Sequence, residues 1–343
     1  MSRRFKVVIT DYDYGDIAIE EEILNAADAD VIGLQAKSED DLVEAARDCD
    51  AIMNQYARVG AKVISAMTQC KVIARYGVGV DIVDVDAATK SNILVTNVRD
   101  YCTEEVADHA ISMWLALARN LFAYNTATHQ GIWQWQSGAP VYRLRGQTMG
   151  IVSFGRIGQA IAERARAFGV NVIVYDPYID PALAQQHQVT LVNKETLIAH
   201  SDIFMMQVPM TADTRHFLSE AEFRAMKRRA LIINTGRGPT IDNQALYRAL
   251  HEGWITGAAL DDPEEEPAKR AQWNPADNPI FSLPNVIVTP HSAYYSEESI
   301  RAARQLAATE VASVLTGKTP RFPVNGAALA LRIKGANDHA EAI

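Results

Sequence analysis

Cysteine is scarce in this chain, with three residues in 343. Cys49, Cys70 and Cys102 are odd in number, widely spaced and without a C-x-x-C pair. A disulfide framework or zinc knuckle is therefore not expected, no metal is expected, and the thiols suit a protein of the reducing cytoplasm. Basic runs are missing as well: 33 Lys and Arg stand against 42 Asp and Glu, a formal net charge of −9. That balance argues against a general nucleic-acid or anionic-membrane binder. It leaves room for a small anionic substrate, which needs only one or two local positive charges. No stretch approaches the ~20 consecutive apolar residues of a membrane span. The apolar run at residues 5–9 is too short for a signal-peptide core, and Asp11 follows it. Short-period repeats and low-complexity segments are absent.

Apolar residues make up 48% of the chain, enough at this length for two domains with a core each. Short β-branched runs at residues 5–10, 31–36, 51–55, 72–75 and 93–98 read as strands with helical patterns between them, which is βα repetition and implies a parallel sheet. From Thr103, residues Val106, Ala107, Ala110, Ile111, Trp114, Leu117, Ala118, Leu121 and Phe122 recur at helical spacing, so one long helix is expected. A Trp-, Gln- and Gly-rich loop at 131–138 breaks the pattern. A second βα series opens at Thr148, with strands expected at 149–153, 172–175, 190–192, 203–207, 231–234, 256–260 and 286–289. A last helix is expected over about 297–315, and residues after Gly326 look poorly committed to a core.

The second series begins with Thr148-Met-Gly-Ile-Val-Ser-Phe-Gly-Arg-Ile-Gly158, a strand running into a Gly-containing turn and a helix. Gly155 would let the backbone approach a pyrophosphate, and Gly158 would allow close helix–sheet packing with the helix N-terminus facing negative charge. Ser153 stands where the first Gly of G-x-G-x-x-G is usual, so alone the motif is a weak signal. Its context strengthens it: the next strand ends in Asp176, 18 positions beyond Gly158, where a ribose would be met. A carboxylate there would accept from both ribose hydroxyls and repel a 2′-phosphate, which favours NAD over NADP. Arg156 is the one residue of the turn that could pair with such a phosphate. The alternative is a Gly-rich turn with no ligand and an Asp that caps a strand.

Three further polar residues each follow a strand of the second series. Arg237, between glycines in Thr235-Gly-Arg-Gly238, could clamp a carboxylate and its neighbouring keto oxygen with a bidentate fork. His291 follows Thr289-Pro290, and an imidazole gives or takes a proton near neutral pH. Glu266 lies in the acidic run Asp261-Asp-Pro-Glu-Glu-Glu266 and could hydrogen-bond His291 to favour the imidazolium, a general acid for ketone reduction. Each has an ordinary alternative: a surface turn for Arg237, a solvated acidic run for Glu266, a satisfied histidine for His291.

Taken together, these segments resemble the D-2-hydroxyacid dehydrogenase family from about residue 5 to 325. The resemblance rests on Arg75-Tyr-Gly-Val-Gly-Val-Asp81, the Gly155-Arg-Ile-Gly158 turn, Asn234-Thr-Gly-Arg-Gly238, Glu266-Pro267 and Thr289-Pro-His291, in family order. The stretch Pro290-His-Ser-Ala-Tyr-Tyr-Ser-Glu-Glu298 is most similar to the branch that includes the C-terminal binding protein corepressors and phosphoglycerate dehydrogenase-like relatives. The resemblance implies two Rossmann-like or flavodoxin-like parallel-sheet α/β domains: a discontinuous substrate domain, 1–100 with 294–330, an NAD-binding domain, 101–293, and a tail, 331–343. It implies reversible hydride transfer between NAD(H) and C2 of a small 2-keto or 2-hydroxy acid of D configuration, of the hydroxypyruvate, glyoxylate or phosphoglycerate type. Arg237, Glu266 and His291 would be catalytic. Val78 and Gly79 would bind the substrate carboxylate with Arg237 and His291. Cofactor contacts would come from Gly155, Arg156, Ile157, Gly158, Asp176, Pro177, Val208, Pro209, Thr214, Thr235, Gly236, Asp261, His291 and Ala293, with Asp261 near the nicotinamide amide.

The helix after Thr103 and the Trp133/Trp135 loop resemble the family's dimer contacts, so a homodimer is expected. Several positions depart from the family pattern: Ser153, Gln207 where His is common, Asp262-Pro263 in place of a more hydrophobic pair, and an insertion-like segment at 268–274. No effector-binding module is expected beyond residue 326. Two other functions stay open. One is a non-enzymatic NAD-sensing protein–protein adaptor, as in the corepressors. The other is formate or phosphite oxidation, and Glu266 speaks against formate because formate dehydrogenases of this fold carry Gln there.

Overall fold

A computed structural model describes residues 4–36, 38–264 and 273–330. They fall into two compact units, one from the start of the chain to Tyr101 and again from Ser296, the other over Cys102–Tyr295. In chain order the first unit contributes β1 (Phe5–Ile9), α1 (Ala18–Asn25), β2 (Ala29–Gly33), α2 (Glu39–Ala46), β3 (Ala51–Asn54), α3 (Ala61–Ala66), β4 (Val72–Arg75), α4 (Val85–Lys90) and β5 (Leu94–Thr96). The second contributes α5 (Thr103–Ala118), α6 (Leu121–His129), β6 (Thr148–Val152), α7 (Arg156–Ala167), β7 (Asn171–Tyr175), α8 (Pro181–Gln186), β8 (Thr190–Leu191), α9 (Lys194–His200), β9 (Ile203–Met206), α10 (Glu220–Ala225), β10 (Leu231–Asn234), α11 (Asn243–His251), β11 (Gly257–Leu260) and β12 (Val286–Val288). The chain then returns to the first unit through α12 (Glu297–Leu315).

Among the described residues the strands pair with one another in parallel, and a single antiparallel bridge joins Thr96 to Pro323. The sheets run β2-β1-β3-β4-β5 in the first unit and β12-β11-β10-β9-β6-β7-β8 in the second. Parallel sheets need helices on both faces, and the side-chain alternation supplies two cores per sheet. In the first unit Val7, Ile9 and Met53 pack with α1 and α12 through Leu24, Ala307 and Val311. Val8, Ile52 and Ile73 face the other way onto α2, α3 and α4. In the second unit Ile151, Met205 and Ile233 pack on α5 and α7, while Phe204, Met206 and Ile232 pack on Leu197, Phe223 and Leu246 of α9, α10 and α11. Helix starts are written locally: Ser38 and Ser296 close capping boxes on α2 and α12, and Asp84, Asn193 and Asp242 cap α4, α9 and α11.

An ion pair buried among these layers fastens α12 to α1. The Arg304 guanidinium donates to both carboxylate oxygens of Glu20, which is 1% exposed, and to Asp16. Burial alone would lower the Arg304 pKa, but its hydrogen bonds to Glu20 and then Asp16 outweigh that and raise it.

Strand ends differ from the sequence expectation by at most three residues, the largest shift being β2, expected to end at 36 and ending at Gly33, and one element differs in kind. The single helix expected to run through Phe122 is two helices, because Asn120 takes a left-handed conformation (φ 50°) and ends the first. Asn is one of the few L-residues that enters this region readily. The turn carries Leu121 and Phe122 out of the buried stripe, leaving them 54% and 60% exposed. Residues 326–330 form a helical turn whose side chains are mostly exposed, and the tail at 331–343 lies outside the described residues. Among the described residues no helix is long and apolar enough to cross a membrane.

Candidate active site

Because the seven strands of the second sheet are parallel, their C-terminal ends share one edge. Along it lie, in order, the β12 turn with His291, the β11 turn with Asp261 and Asp262, the β10 turn with Arg237, the β9 turn with Gln207, and the β6 turn with Gly155. Asp176 at the end of β7 closes the row. The strand order reverses beside β6, the place where open parallel sheets hold their ligands.

At the β6 end, Gly155 is the N-cap of α7 with no side-chain cap and no acidic residue in the first turn, unlike α12, which starts with Glu297 and Glu298. The α7 start thus carries no anion from its own cap or first turn, which suits an external one. A Cβ at Gly155 would meet nothing within 4 Å, so the space beside this turn is open. A Cβ at Gly158 would stand 2.5 Å from the Ser153 carbonyl oxygen, so only glycine lets α7 pack this close. Ser153 takes the left-handed conformation (φ 72°) that a glycine would adopt without strain. Asp176 accepts from the Phe154 N–H at 2.8 Å and the Tyr178 N–H at 3.0 Å, which fixes its carboxylate beside the glycine turn. These features fit a dinucleotide: an open glycine turn, an uncapped helix start and a fixed carboxylate one strand away. Pro177 is exposed and Ile157 half-buried beside them.

The β9 and β10 turns are joined by small contacts. Gln207 donates to Thr235 Oγ1 at 2.7 Å, and a Cβ on Gly236 would lie 3.1 Å and 3.2 Å from the carbonyls of Met206 and Val208. Thr214 Oγ1 donates to the Pro209 carbonyl and closes the loop after Val208. Arg237 is half-buried and extended, its carbonyl held by Asn234 Nδ2 at 3.1 Å and Thr240 Oγ1 at 2.6 Å. Both partners are buried, Asn234 at 1% and Thr240 at 0% exposure, so the backbone that carries the guanidinium is rigid. Gly238 lies against Pro263 and Glu264 so closely that a Cβ would come within 2.3 Å of the Pro263 carbonyl. Glu264 in turn accepts from His216, Arg215 and the Asn243 N–H.

His291 has φ 52°, and its N–H donates to the Asp261 carbonyl at 2.8 Å. The Asp261 carboxylate, 3% exposed, accepts from Thr289 Oγ1 (2.5 Å), Ser292 N–H (2.9 Å) and Ala293 N–H (2.9 Å). Asp261 therefore folds the turn that presents His291. The imidazole is 35% exposed, and its Nδ1 stands 3.9 Å from Asp262 Oδ2. Glu266 lies outside the described residues, as do Pro267 and most of the 268–274 segment. The other expected site residues, Val78 and Gly79, sit in the turn after β4 of the first unit, where Asn97 Nδ2 donates to the Val78 carbonyl at 2.7 Å. Val78 is 42% exposed, and its neighbour Gly77 has φ 148°. Sequence reasoning met Asn234 and Thr289 only as motif residues without a role and passed over Thr240; all three brace these turns. They are ordinary polar residues at or after the ends of β10 and β12, and nothing in their type marks them as braces.

The sequence pattern described as "D-isomer specific 2-hydroxyacid dehydrogenase, NAD binding domain" matches residues 111–293. The chain belongs to this family. A D-3-phosphoglycerate dehydrogenase of Methanocaldococcus jannaschii is 38% identical over 93% of this chain, which spans 59% of that relative's length. A glyoxylate reductase of Korarchaeum cryptofilum is 36% identical over 86% of this chain and 88% of its own. Among solved structures, a D-lactate dehydrogenase from Aquifex aeolicus complexed with NAD and lactic acid superposes with a TM-score of 0.83 at 28% identity, covering 91% of this chain and 96% of that one. Membership makes the chain an NAD-dependent oxidoreductase of D-2-hydroxy acids with two parallel-sheet α/β domains. The corepressor-like alternative finds no support in these relatives.

Proposed function

We propose that this chain reduces a small 2-keto acid to the D-2-hydroxy acid with NADH and runs the reverse oxidation, with glyoxylate and hydroxypyruvate as the first substrates to try. The observation that carries the reading is the single sheet edge on which Arg237, His291, the open Gly155 turn and Asp176 stand in one row. The relatives named as glyoxylate reductases and phosphoglycerate dehydrogenases support the substrate class. When bound, the nicotinamide supplies the hydride that arrives at substrate C2, or takes it in oxidation. Residues after β6 and β7 hold the dinucleotide: the α7 N-terminus and Arg156 take the pyrophosphate and Asp176 the ribose. Pro177, Val208, Pro209, Thr214, Thr235, Gly236, Asp261 and Ala293 complete its seat. Arg237 grips the substrate carboxylate and keto oxygen through a planar fork, and the Val78 and Gly79 amides bind the same carboxylate. In reduction the His291 imidazolium gives its proton to the keto oxygen, and in oxidation the neutral imidazole takes it back. Glu266 is assigned as the partner of His291.

The first unit serves as substrate domain and the second as NAD domain. The protein is assigned to the cytoplasm, which the three buried thiols suit. It is read as a homodimer without nucleic-acid partners. Trp133 and Trp135, 89% and 71% exposed, and the exposed Leu121 and Phe122 are the apolar side chains this reading gives to a second copy.

The test is NADH oxidation at 340 nm with glyoxylate, hydroxypyruvate, pyruvate and phenylpyruvate. At least one is turned over, and His291→Asn lowers its kcat about 100-fold or more while NADH still binds. A flat trace with every keto acid contradicts the reading, and near-normal turnover by the variant removes His291 from it.

A further inference from the structure

The family pattern does not account for a carboxylate at position 262. Asp262 follows β11, is 2% exposed, and brings Oδ2 to 3.9 Å from His291 Nδ1. That distance exceeds a hydrogen bond, yet a carboxylate this near and this buried acts strongly on an imidazole's charge. The approach is enforced from both sides. Asp261 clamps the His291 turn through Thr289, Ser292 and Ala293, and Pro263 is pinned against Gly238. Asp262 stands between two fixed neighbours in the chain, so its position follows from theirs.

We infer that Asp262 is a positioning residue for the reaction proposed above: it stabilises the His291 imidazolium from the Nδ1 side, so that Nε2–H is the proton given to substrate. The inference rests on His291 being the acid of that reaction. In the reductive step the Nε2–H bond breaks, its electron pair stays on nitrogen, and the proton forms the O–H bond at C2 as the hydride from NADH arrives at carbon. The imidazole left behind is neutral, keeps its Nδ1 proton, and still faces Asp262.

Other groups around the imidazole act on the same equilibrium. On the β11 turn Asp261 contributes a second carboxylate, which is occupied by the turn. From α5, His109 Nε2 lies 3.7 Å from Asp261 Oδ1 and 3.1 Å from Thr289 Oγ1. Tyr294, on the same turn as His291, meets its ring edge to face at 6.3 Å. The β10 turn that touches Pro263 carries Arg237, whose positive charge opposes the imidazolium. Glu266, assigned as the partner, would add to Asp262 rather than replace it.

The test is an NMR titration of His291 in wild type and Asp262→Asn, using protein labelled at histidine and the resonance missing from His291→Asn. Alongside it, kcat/KM is measured against pH in both directions. In Asp262→Asn the His291 midpoint is expected about one pH unit lower or more. The alkaline limb of reduction and the acid limb of oxidation should move down with it. Opposite-direction limbs moving together is something a merely structural loss does not produce, since that lowers activity at every pH. An unmoved His291 midpoint, or reduced activity with both limbs in place, overturns the inference. If Asp262→Asn does not fold, Asp262→Val carries the same expectation and the same refutation. If wild type reduces no keto acid, the functional reading fails on its own while the titration still decides whether Asp262 and His291 are coupled.

Discussion

Asp176 does two jobs that a single substitution separates only by ratio. Its carboxylate accepts from Phe154 and Tyr178 N–H groups and so shapes the glycine turn, and under the proposal it also meets the ribose. Asp176→Ala should weaken NADH binding through both losses, but NADPH gains from removal of a charge that repels its 2′-phosphate. The ratio of NADPH to NADH kcat/KM is expected to rise about tenfold, equivalent to ~1.4 kcal/mol. An unchanged ratio would detach Asp176 from the ribose. The positions of residues like this one at strand ends, though not their roles, were legible in the sequence. Gly158 and Arg237 could be placed because their spacing from a strand end is short and the chemistry asks for those residue types. Asp262 appeared only as a departure from pattern, because its meaning depends on His291, 29 positions away, and only folding brings the two within 3.9 Å.

At the scale of elements, α7 packs against the β6 turn at a distance that only glycine allows. The Cβ of Gly158→Ala would stand 2.5 Å from the Ser153 carbonyl oxygen, a backbone atom that cannot swing away. Helix α7 must then shift, carrying its N-terminal amides off the proposed pyrophosphate position. We expect at least tenfold weaker NADH binding by fluorescence titration (~1.4 kcal/mol), with the circular dichroism of the folded protein kept; unaltered affinity would mean that the α7 start is not the phosphate seat. All twelve strands of the described residues were readable as short apolar runs, most plainly β3, β9, β10 and β11, which are buried on both faces and apolar nearly throughout. The break between α5 and α6 was not. Helical periodicity continues through Leu121 and Phe122, and nothing in that period reveals that Asn120 will turn left-handed. Periodicity reports which side chains would share a face if the helix continued, not whether it does.

For the molecule as a whole, that break has a consequence. It leaves Leu121 and Phe122 exposed in the same stretch of chain as Trp133 and Trp135, apolar side chains that the proposed homodimer would cover. Sedimentation equilibrium should give about twice the chain mass of 37.8 kDa. The double variant Trp133→Glu with Trp135→Glu should shift it toward one chain mass. A wild-type monomer, or a charged variant that stays dimeric, would remove this surface from the assembly. The sequence suggested a surface here only through family likeness, since nothing local distinguishes an indole packed inside a chain from one left outside.

The central claim is that the row of side chains along the second sheet presents one face of a keto acid to hydride, so the most direct measurement is the handedness of the product. Hydroxypyruvate reduced with NADH by the wild-type protein should yield D-glycerate alone by chiral chromatography. L-glycerate, a racemic mixture, or no glycerate from hydroxypyruvate together with no D-hydroxy acid from any other keto acid would contradict the account.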